Sequence, residues 1–210
     1  MNEVKLQVLG TTRGATHFIK MDKPLKRPSL SVCVAITAIA IAAALSHPDV
    51  EVERHPDRQY GSFIAFWPKY VGEHSKPLTK ILHGIGTIGT PLLSFGFDAE
   101  LLLRVCLGLA SGISFSLLFV NAFAAYPTGL PEGIVMIVML VWLMKLFSGR
   151  SAASCFLCLA SGYIMPWIAH FFVEHNNPAT FLHPTFSILG DFVLLGSLLT
   201  NQLALNATAP

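Results

Sequence analysis

Of 210 residues, 53% are hydrophobic and 12% charged, where a soluble domain carries about 25% charge; with a mean hydropathy of +0.59, this excludes a disordered chain and argues against an ordinary water-soluble enzyme. Fourteen basic against twelve acidic residues leave a net charge of +2, too weak a bias for a nucleic-acid partner. The length suits one all-α domain, a polytopic bundle of about four to five membrane helices at about 20 apolar residues each, plus an interfacial helix.

Residues 1–30 are basic, with Lys5, Arg13, Lys20, Lys23, Lys26 and Arg27 against Glu3 and Asp22. An alanine-rich apolar run follows at 30–45. As a helix it is about 24 Å long, short of a hydrocarbon core of about 30 Å. A targeting sequence, a tilted signal anchor and a peripheral extension all have this pattern. Residues 46–60, with Pro48 and Pro56, read as a linker that closes an N-terminal extension spanning 1–60. The remainder, 61–205, is the membrane domain.

Within 61–73, Phe63, Phe66, Trp67 and Tyr70 have helical spacing. They predict an interfacial helix with Trp67 and Tyr70 at headgroup depth, or a core helix end broken at Pro68. Five apolar stretches then predict membrane helices at 78–97, 99–123, 131–147, 151–173 and 185–203. Backbone polar groups in a bilayer must be satisfied within the segment, so these are helices rather than loops. Gly108 and Gly112 form a G-x-x-x-G, a close-approach motif that also arises by chance among apolar glycines. Cys155 and Cys158 form a C-x-x-C, but no second pair completes a zinc site, and apolar neighbours favour plain burial.

The polar residues of this region gather at one end. Counting crossings from residue 78, the start of the first membrane helix, the end of the fourth and the start of the fifth share one face. That brings together His74, His83, His170, Glu174, His175 and His183. His170 and Glu174 are four apart, on one helical face. His74 and His83 are nine apart and meet only if the chain before 78 folds back. Ser75 is the expected N-cap and Pro77 the first-turn proline. Pro166 would kink its helix one turn before His170. Asp191, two turns into the last helix, is expected to face the interior. Imidazoles with a carboxylate and open positions suit non-haem Fe(2+), with zinc or manganese as alternatives.

Two stretches carry a family resemblance. One is Phe66-Trp67-Pro68-Lys69-Tyr70-Val71-Gly72-Glu73-His74 followed by Leu82-His83-Gly84-Ile85-Gly86-Thr87. The other is Ala169-His170-Phe171-Phe172-Val173-Glu174-His175-Asn176-Asn177-Pro178-Ala179-Thr180-Phe181 followed by 187–192. Over about 61–195 the chain resembles the membrane family of the fungal 2-hydroxy fatty acid dioxygenase. The resemblance implies an Fe(2+)-dependent enzyme of the endoplasmic reticulum membrane, acting in phytosphingosine breakdown. Such an enzyme takes one carbon from a 2-hydroxy long-chain fatty acid with dioxygen. It implies His74, His83, His170 and Glu174 as metal ligands, and Glu174 and Asp191 as the catalytic carboxylates. The chain departs from the family pattern at Ala169, His175 and His183, so the last two are not carried over as ligands.

Two other functions use the same residues. A membrane haem or electron-transfer protein needs two facing axial histidines. A transporter or non-catalytic scaffold would use Asp191 and the histidines as a proton relay. Lys69, Lys76 and Lys80 either attract a substrate carboxylate or anchor the interface by snorkelling. The positive-inside rule leans toward a cytosolic site, whereas a spanning 30–45 helix with a cytosolic N-terminus puts it in the lumen. Asn206-Ala207-Thr208 is a glycosylation sequon close to the C-terminus.

Overall fold

Three of the predicted apolar stretches become helices long and apolar enough to cross a membrane: Ala99–Leu117, Leu130–Ser148 and Ala152–Glu174. Leu30–Ser46 and Pro184–Leu199 are apolar but shorter. The computed structural model describes residues 27–46 and 52–205, and among these there are helices and no strand. The basic run from Lys5 to Lys26, Pro48 and the sequon at Asn206 lie outside the described residues.

The helices are α1 Leu30–Ser46, α2 Phe63–Glu73, α3 Pro77–Gly84, α4 Thr90–Phe95, α5 Ala99–Leu117, α6 Leu130–Ser148, α7 Ala152–Ile168 and α8 Pro184–Leu199. A π-turn, Ile85–Gly89, joins α3 to α4, and a second, Ala169–Glu174, extends α7. Local chemistry sets the ends. Asp98 caps α5 by accepting from the Leu101 amide at 2.8 Å, and Ser151 caps α7 by accepting from the Ser154 amide at 3.1 Å. Proline occupies the first turn of α3, α6 and α8, where its missing N–H costs nothing. Gly149 ends α6 with φ 72°, the left-handed conformation that glycine adopts without a Cβ penalty.

Two predicted helices end early. The stretch 99–123 leaves the α-helix at Leu117 and continues as the 3-10 turn Val120–Phe123. That turn meets the chain before α2: Arg54 Nη2 donates to Asn121 Oδ1 at 2.5 Å, and the His55 amide donates to the Ala124 carbonyl at 2.9 Å. The stretch 185–203 ends at Leu199.

Lipid supplies little hydrophobic drive between helices, so close packing has to hold them. The G-x-x-x-G does this against α6. A Cβ on Gly108 would lie 2.8 Å from the Met144 Cα, and one on Gly112 3.0 Å from the Leu140 Cα. Cys155 and Cys158 are free thiols in the core beside Leu109 and Met144, so the C-x-x-C is packing. Leu93, Val138, Trp142, Leu157 and Ile164 point outward, as lipid-facing side chains do. The α1 helix runs parallel to α5. Arg104 reaches the Pro28 carbonyl at 2.9 Å, and about two turns further along α5 Ser111 meets Thr37 at 2.8 Å.

At the end of the bundle where α3, α6 and α8 begin, Arg58 forms a fully buried ion pair with Glu132. Arg58 also donates to the carbonyls of Leu182 and Phe123, and Glu132 Oε1 accepts from the Thr185 amide at 3.0 Å. One guanidinium thereby ties the chain before α2 to the starts of α6 and α8. Removing one partner of such a pair costs about 3–5 kcal/mol, because the other charge stays buried.

The same end positions the histidines. Amphipathic α2 packs on α8 and buries Phe66, Tyr70 and Val71. Tyr70 turns inward rather than toward lipid: its ring is fully buried, because Gly190 on α8 leaves room for it. A Cβ on Gly190 would sit 2.7 Å from the Tyr70 ring. Gly86, in the first π-turn, lets that turn press on α7, since a Cβ there would lie 2.5 Å from the Gly162 carbonyl oxygen and 2.9 Å from Pro166 Cδ.

Candidate metal centre

Three elements each deliver one imidazole to a common point. His74 caps the end of α2, His83 lies in the last turn of α3, and His170 lies in the π-turn after α7. Pro77 starts α3 immediately after a sharp turn, so His74 folds back onto the helix that carries His83. The Nε2 atoms of the two are 3.1 Å apart. The three rings meet nearly edge to face, with centroids 4.2, 4.8 and 5.1 Å apart. One nitrogen from each lies within 4.8 Å of the others, and all three residues are buried.

The hydrogen bonds on the far side of each ring decide its chemistry. His74 Nδ1 lies 2.5 Å from the Tyr70 carbonyl oxygen, His83 Nδ1 2.7 Å from Asp191 Oδ1, and His170 Nδ1 2.7 Å from Asn176 Oδ1. The Asn176 amide is oriented by its own Nδ2, which donates to the Glu73 carbonyl at 3.2 Å. Each of these partners is an acceptor, so each Nδ1 carries the proton and each Nε2 a lone pair. Two lone pairs facing each other at 3.1 Å need a cation or a proton between them. A proton is disfavoured, because burial, and then His83 and His170, hold His74 well below the usual imidazole range. Two imidazoles on one divalent ion with bonds of about 2.0–2.1 Å have nitrogens about 3 Å apart, so the observed spacing fits a shared metal. Metal-bound histidines typically hand their other N–H to a carboxylate or carbonyl, as all three do here.

Asp191 is the hub of this outer layer. Its Oδ1 accepts from His83 and from the Tyr70 hydroxyl, the latter at 2.5 Å. Burial and the adjacent Asp191 carboxylate raise the Tyr70 phenol well above its ordinary range, so it remains a donor. The Tyr70 ring also stacks on His74, with centroids 4.0 Å apart. Asp191 therefore reaches the histidines at its expected depth, as the group that orients His83.

Glu174 stands apart from the triad. Its Oε2 accepts from the Ser75 hydroxyl at 2.9 Å and its Oε1 from the Lys76 amide at 2.8 Å. The turn before α3 reaches the carboxylate first, which ties the end of α7 to the start of α3. Ser75 consequently does not cap α3; the N-cap is Lys76, with no side-chain cap bond. His175 adopts a left-handed φ of 60°, the bend that brings Asn176 back to His170. The lysines are engaged nearby: Lys69 with Glu73, Lys76 with the Val173 carbonyl, and Lys80 with the carbonyls of Ala204 and Leu205.

His183 is buried away from the triad, among Tyr60, Phe66 and Phe186. Neither ring nitrogen has a hydrogen-bond partner among the described residues. Burial, and then the charges of Arg58, Lys69 and Arg54, lower its pKa to about 4. Sequence reasoning missed Asn176, the Tyr70 hydroxyl and Tyr163, a half-buried phenol whose hydroxyl is buried and which lines one cleft with Asp191. An Asn immediately after a His in a post-helix loop was the one available signal.

The family model described as "Mpo1-like: 2-hydroxy-palmitic acid dioxygenase Mpo1-like" matches residues 128–203, which supports the family that the two motifs resemble. That match contains His170, Asn176 and Asp191; His74 and His83 precede it. No curated protein and no solved structure matches the chain.

Proposed function

We propose, with the family support over residues 128–203 as premise, that this chain is an Fe(2+)-dependent dioxygenase that removes one carbon from 2-hydroxy long-chain fatty acids. It would work as a multi-pass protein of the endoplasmic reticulum membrane, in α-oxidation during sphingoid base breakdown. The observation that carries this is the buried set of three imidazoles, each with its Nδ1 tied to an acceptor and its Nε2 turned inward. The overall change balances without a further reductant: a 2-hydroxy acid and O2 give the acid one carbon shorter, CO2 and water.

His74, His83 and His170 would hold the iron. Once bound, it supplies dioxygen activation and a binding position for the acid's oxygens. The chain's own residues do the rest. Asp191 fixes the ring of His83, Asn176 that of His170, and the Tyr70 carbonyl that of His74. The burial of all three rings, with Tyr70 stacked on His74, keeps bulk water from the reacting carbons.

A haem protein is disfavoured by geometry. Two axial imidazoles bind from opposite sides of a flat macrocycle, whereas these three crowd one space with no slot between His74 and His83. The test uses purified full-length protein in lipid nanodiscs, loaded with Fe(2+) and given 2-hydroxyhexadecanoic acid. Oxygen uptake matched to pentadecanoic acid is expected. Full iron occupancy without turnover across chain lengths would overturn the proposal in favour of a transporter or scaffold.

A further inference from the structure

Trp67 and Tyr70 on α2, and His74 at its C-terminal cap, follow one another at helical i+3 and i+4 steps, so their side chains share one face. The three rings are stacked in series. Trp67 lies against Tyr70 with centroids 5.6 Å apart and planes inclined by 14°, and Tyr70 against His74 with centroids 4.0 Å apart and planes inclined by 24°. The series begins at a half-buried indole and ends inside the triad, since Tyr70 and His74 are fully buried.

Stacked aromatics pack well whatever their chemistry. Two further features set this series apart. The Tyr70 hydroxyl donates to Asp191 Oδ1 at 2.5 Å, the length of a charge-assisted bond to a carboxylate. A phenol gives up an electron readily only when its proton leaves with it, and Asp191 is an acceptor already in contact. The second feature is which rings lie on the path. Another aromatic route leads from Tyr70 through Phe66 to Tyr60, with centroids 5.8 and 5.7 Å apart. A phenyl ring resists oxidants that take an electron from indole or phenol, so that route is broken at its first step. The route through Trp67 has an oxidisable ring at every step, and its outer neighbour, Phe63, is again inert.

We propose that Trp67 and Tyr70 form a one-electron relay, which carries oxidising equivalents away from the histidine centre when dioxygen reacts there without a fatty acid. This rests on the iron and dioxygen chemistry proposed above. One electron passes from Tyr70 through the stacked His74 ring to the oxidised centre, while the phenol proton moves to Asp191 Oδ1. Trp67 then gives one electron to Tyr70, and the proton returns from Asp191 to the phenol oxygen. A one-electron reductant of the ascorbate or thiol class restores the indole from the surface and releases its own proton to water. The sum is one electron moved from that reductant to the centre, with Asp191 back in its starting state. The relay protects the buried histidines and Tyr70 from oxidative modification.

The test reads radicals and covalent damage rather than turnover, on full-length protein in nanodiscs. In the first arm the protein is loaded with zinc, which has no redox chemistry of its own, and oxidised by photogenerated ruthenium(III) tris-bipyridine before freezing for electron paramagnetic resonance. The native chain is expected to show a tyrosyl component that responds to ring-deuterated tyrosine and is lost in Tyr70→Phe. The same component is expected to be lost in Trp67→Phe, which keeps a ring at that position but not an oxidisable one. In the second arm iron-loaded protein meets dioxygen without a fatty acid, and peptide mass spectrometry follows oxygen adducts. Trp67→Phe is expected to accumulate them on Tyr70 and His74 several-fold faster than the native chain. A tyrosyl component that keeps its native yield in Trp67→Phe, or is missing from the native chain, overturns the relay. So do adducts that form at equal rates in the two proteins. Loss of the component in Trp67→Phe, with no adducts in either protein, upholds the conducting path and overturns the dioxygen chemistry alone.

Discussion

His83 and Asp191, 108 positions apart in sequence, are joined by a 2.7 Å hydrogen bond from imidazole Nδ1 to carboxylate Oδ1. The bond sets which nitrogen of His83 faces the other two histidines, and its negative charge raises the basicity of that nitrogen. Asp191→Asn keeps an acceptor but loses the charge. It is expected to weaken metal binding about ten- to a hundredfold with the helical fold retained. Competition titration with a chelator, alongside circular dichroism, checks both halves.

Glu174 separates two accounts of the centre. Spacing put it beside His170; the structure puts it on Ser75 and the Lys76 amide. Glu174→Gln is expected to leave iron content within about twofold of the native chain, whereas His170→Ala lowers it by at least tenfold. Equal losses in the two variants, measured by elemental analysis, would restore Glu174 as a ligand.

Gly190 makes the room that Tyr70 needs to reach Asp191. In Gly190→Ala the new methyl would start 2.7 Å from the ring, so the ring must shift and its bond to Asp191 lengthen. Overpacking of this kind costs about 1–3 kcal/mol. A lower melting temperature together with weaker metal binding is expected, since the same displacement loosens His83.

His183 carries a pH dependence. In the fold it stays neutral down to about pH 4, whereas the unfolded chain protonates near 6.5. Its contribution is therefore complete above pH 6.5 and is lost as pH falls from 6.5 toward 4, where the unfolded state binds the extra proton. His74, lowered in the same direction, adds to that slope. His183→Phe keeps the stacking on Phe186 and removes the unpartnered nitrogens. It is expected to flatten part of the slope in thermal melts between pH 7 and 5, with stability at pH 7.5 unchanged or raised.

The sequence revealed the helical membrane bundle because apolar runs such as 131–147 and 151–173 are long, and their ends carry proline, serine and glycine signals. Counting crossings also put His83 and His170 at one end, which the structure reproduces. What it could not supply was the geometry of the turn at Ser75, Lys76 and Pro77, where Pro77 keeps its expected place and Ser75 does not. Nine residues between His74 and His83 fix no distance until that turn is known. For Glu174, an i,i+4 spacing gives a shared face with His170 but not which donor reaches the side chain first. Tyr70 read as an interfacial aromatic because its pairing with Gly190 and Asp191 is made only in three dimensions. The π-turns at Ile85–Gly89 and Ala169–Glu174 had no periodicity signal, although Gly86 and Pro166, which permit the close contact between their helices, were visible.

The most direct test of the three-histidine centre is the iron content per chain of the native protein and of His74→Ala, His83→Ala and His170→Ala, each reconstituted anaerobically under the same limiting Fe(2+). About one iron per native chain and at least a tenfold loss in each variant is the predicted result. Native-like iron content in all three variants, with their helical fold intact, would contradict it.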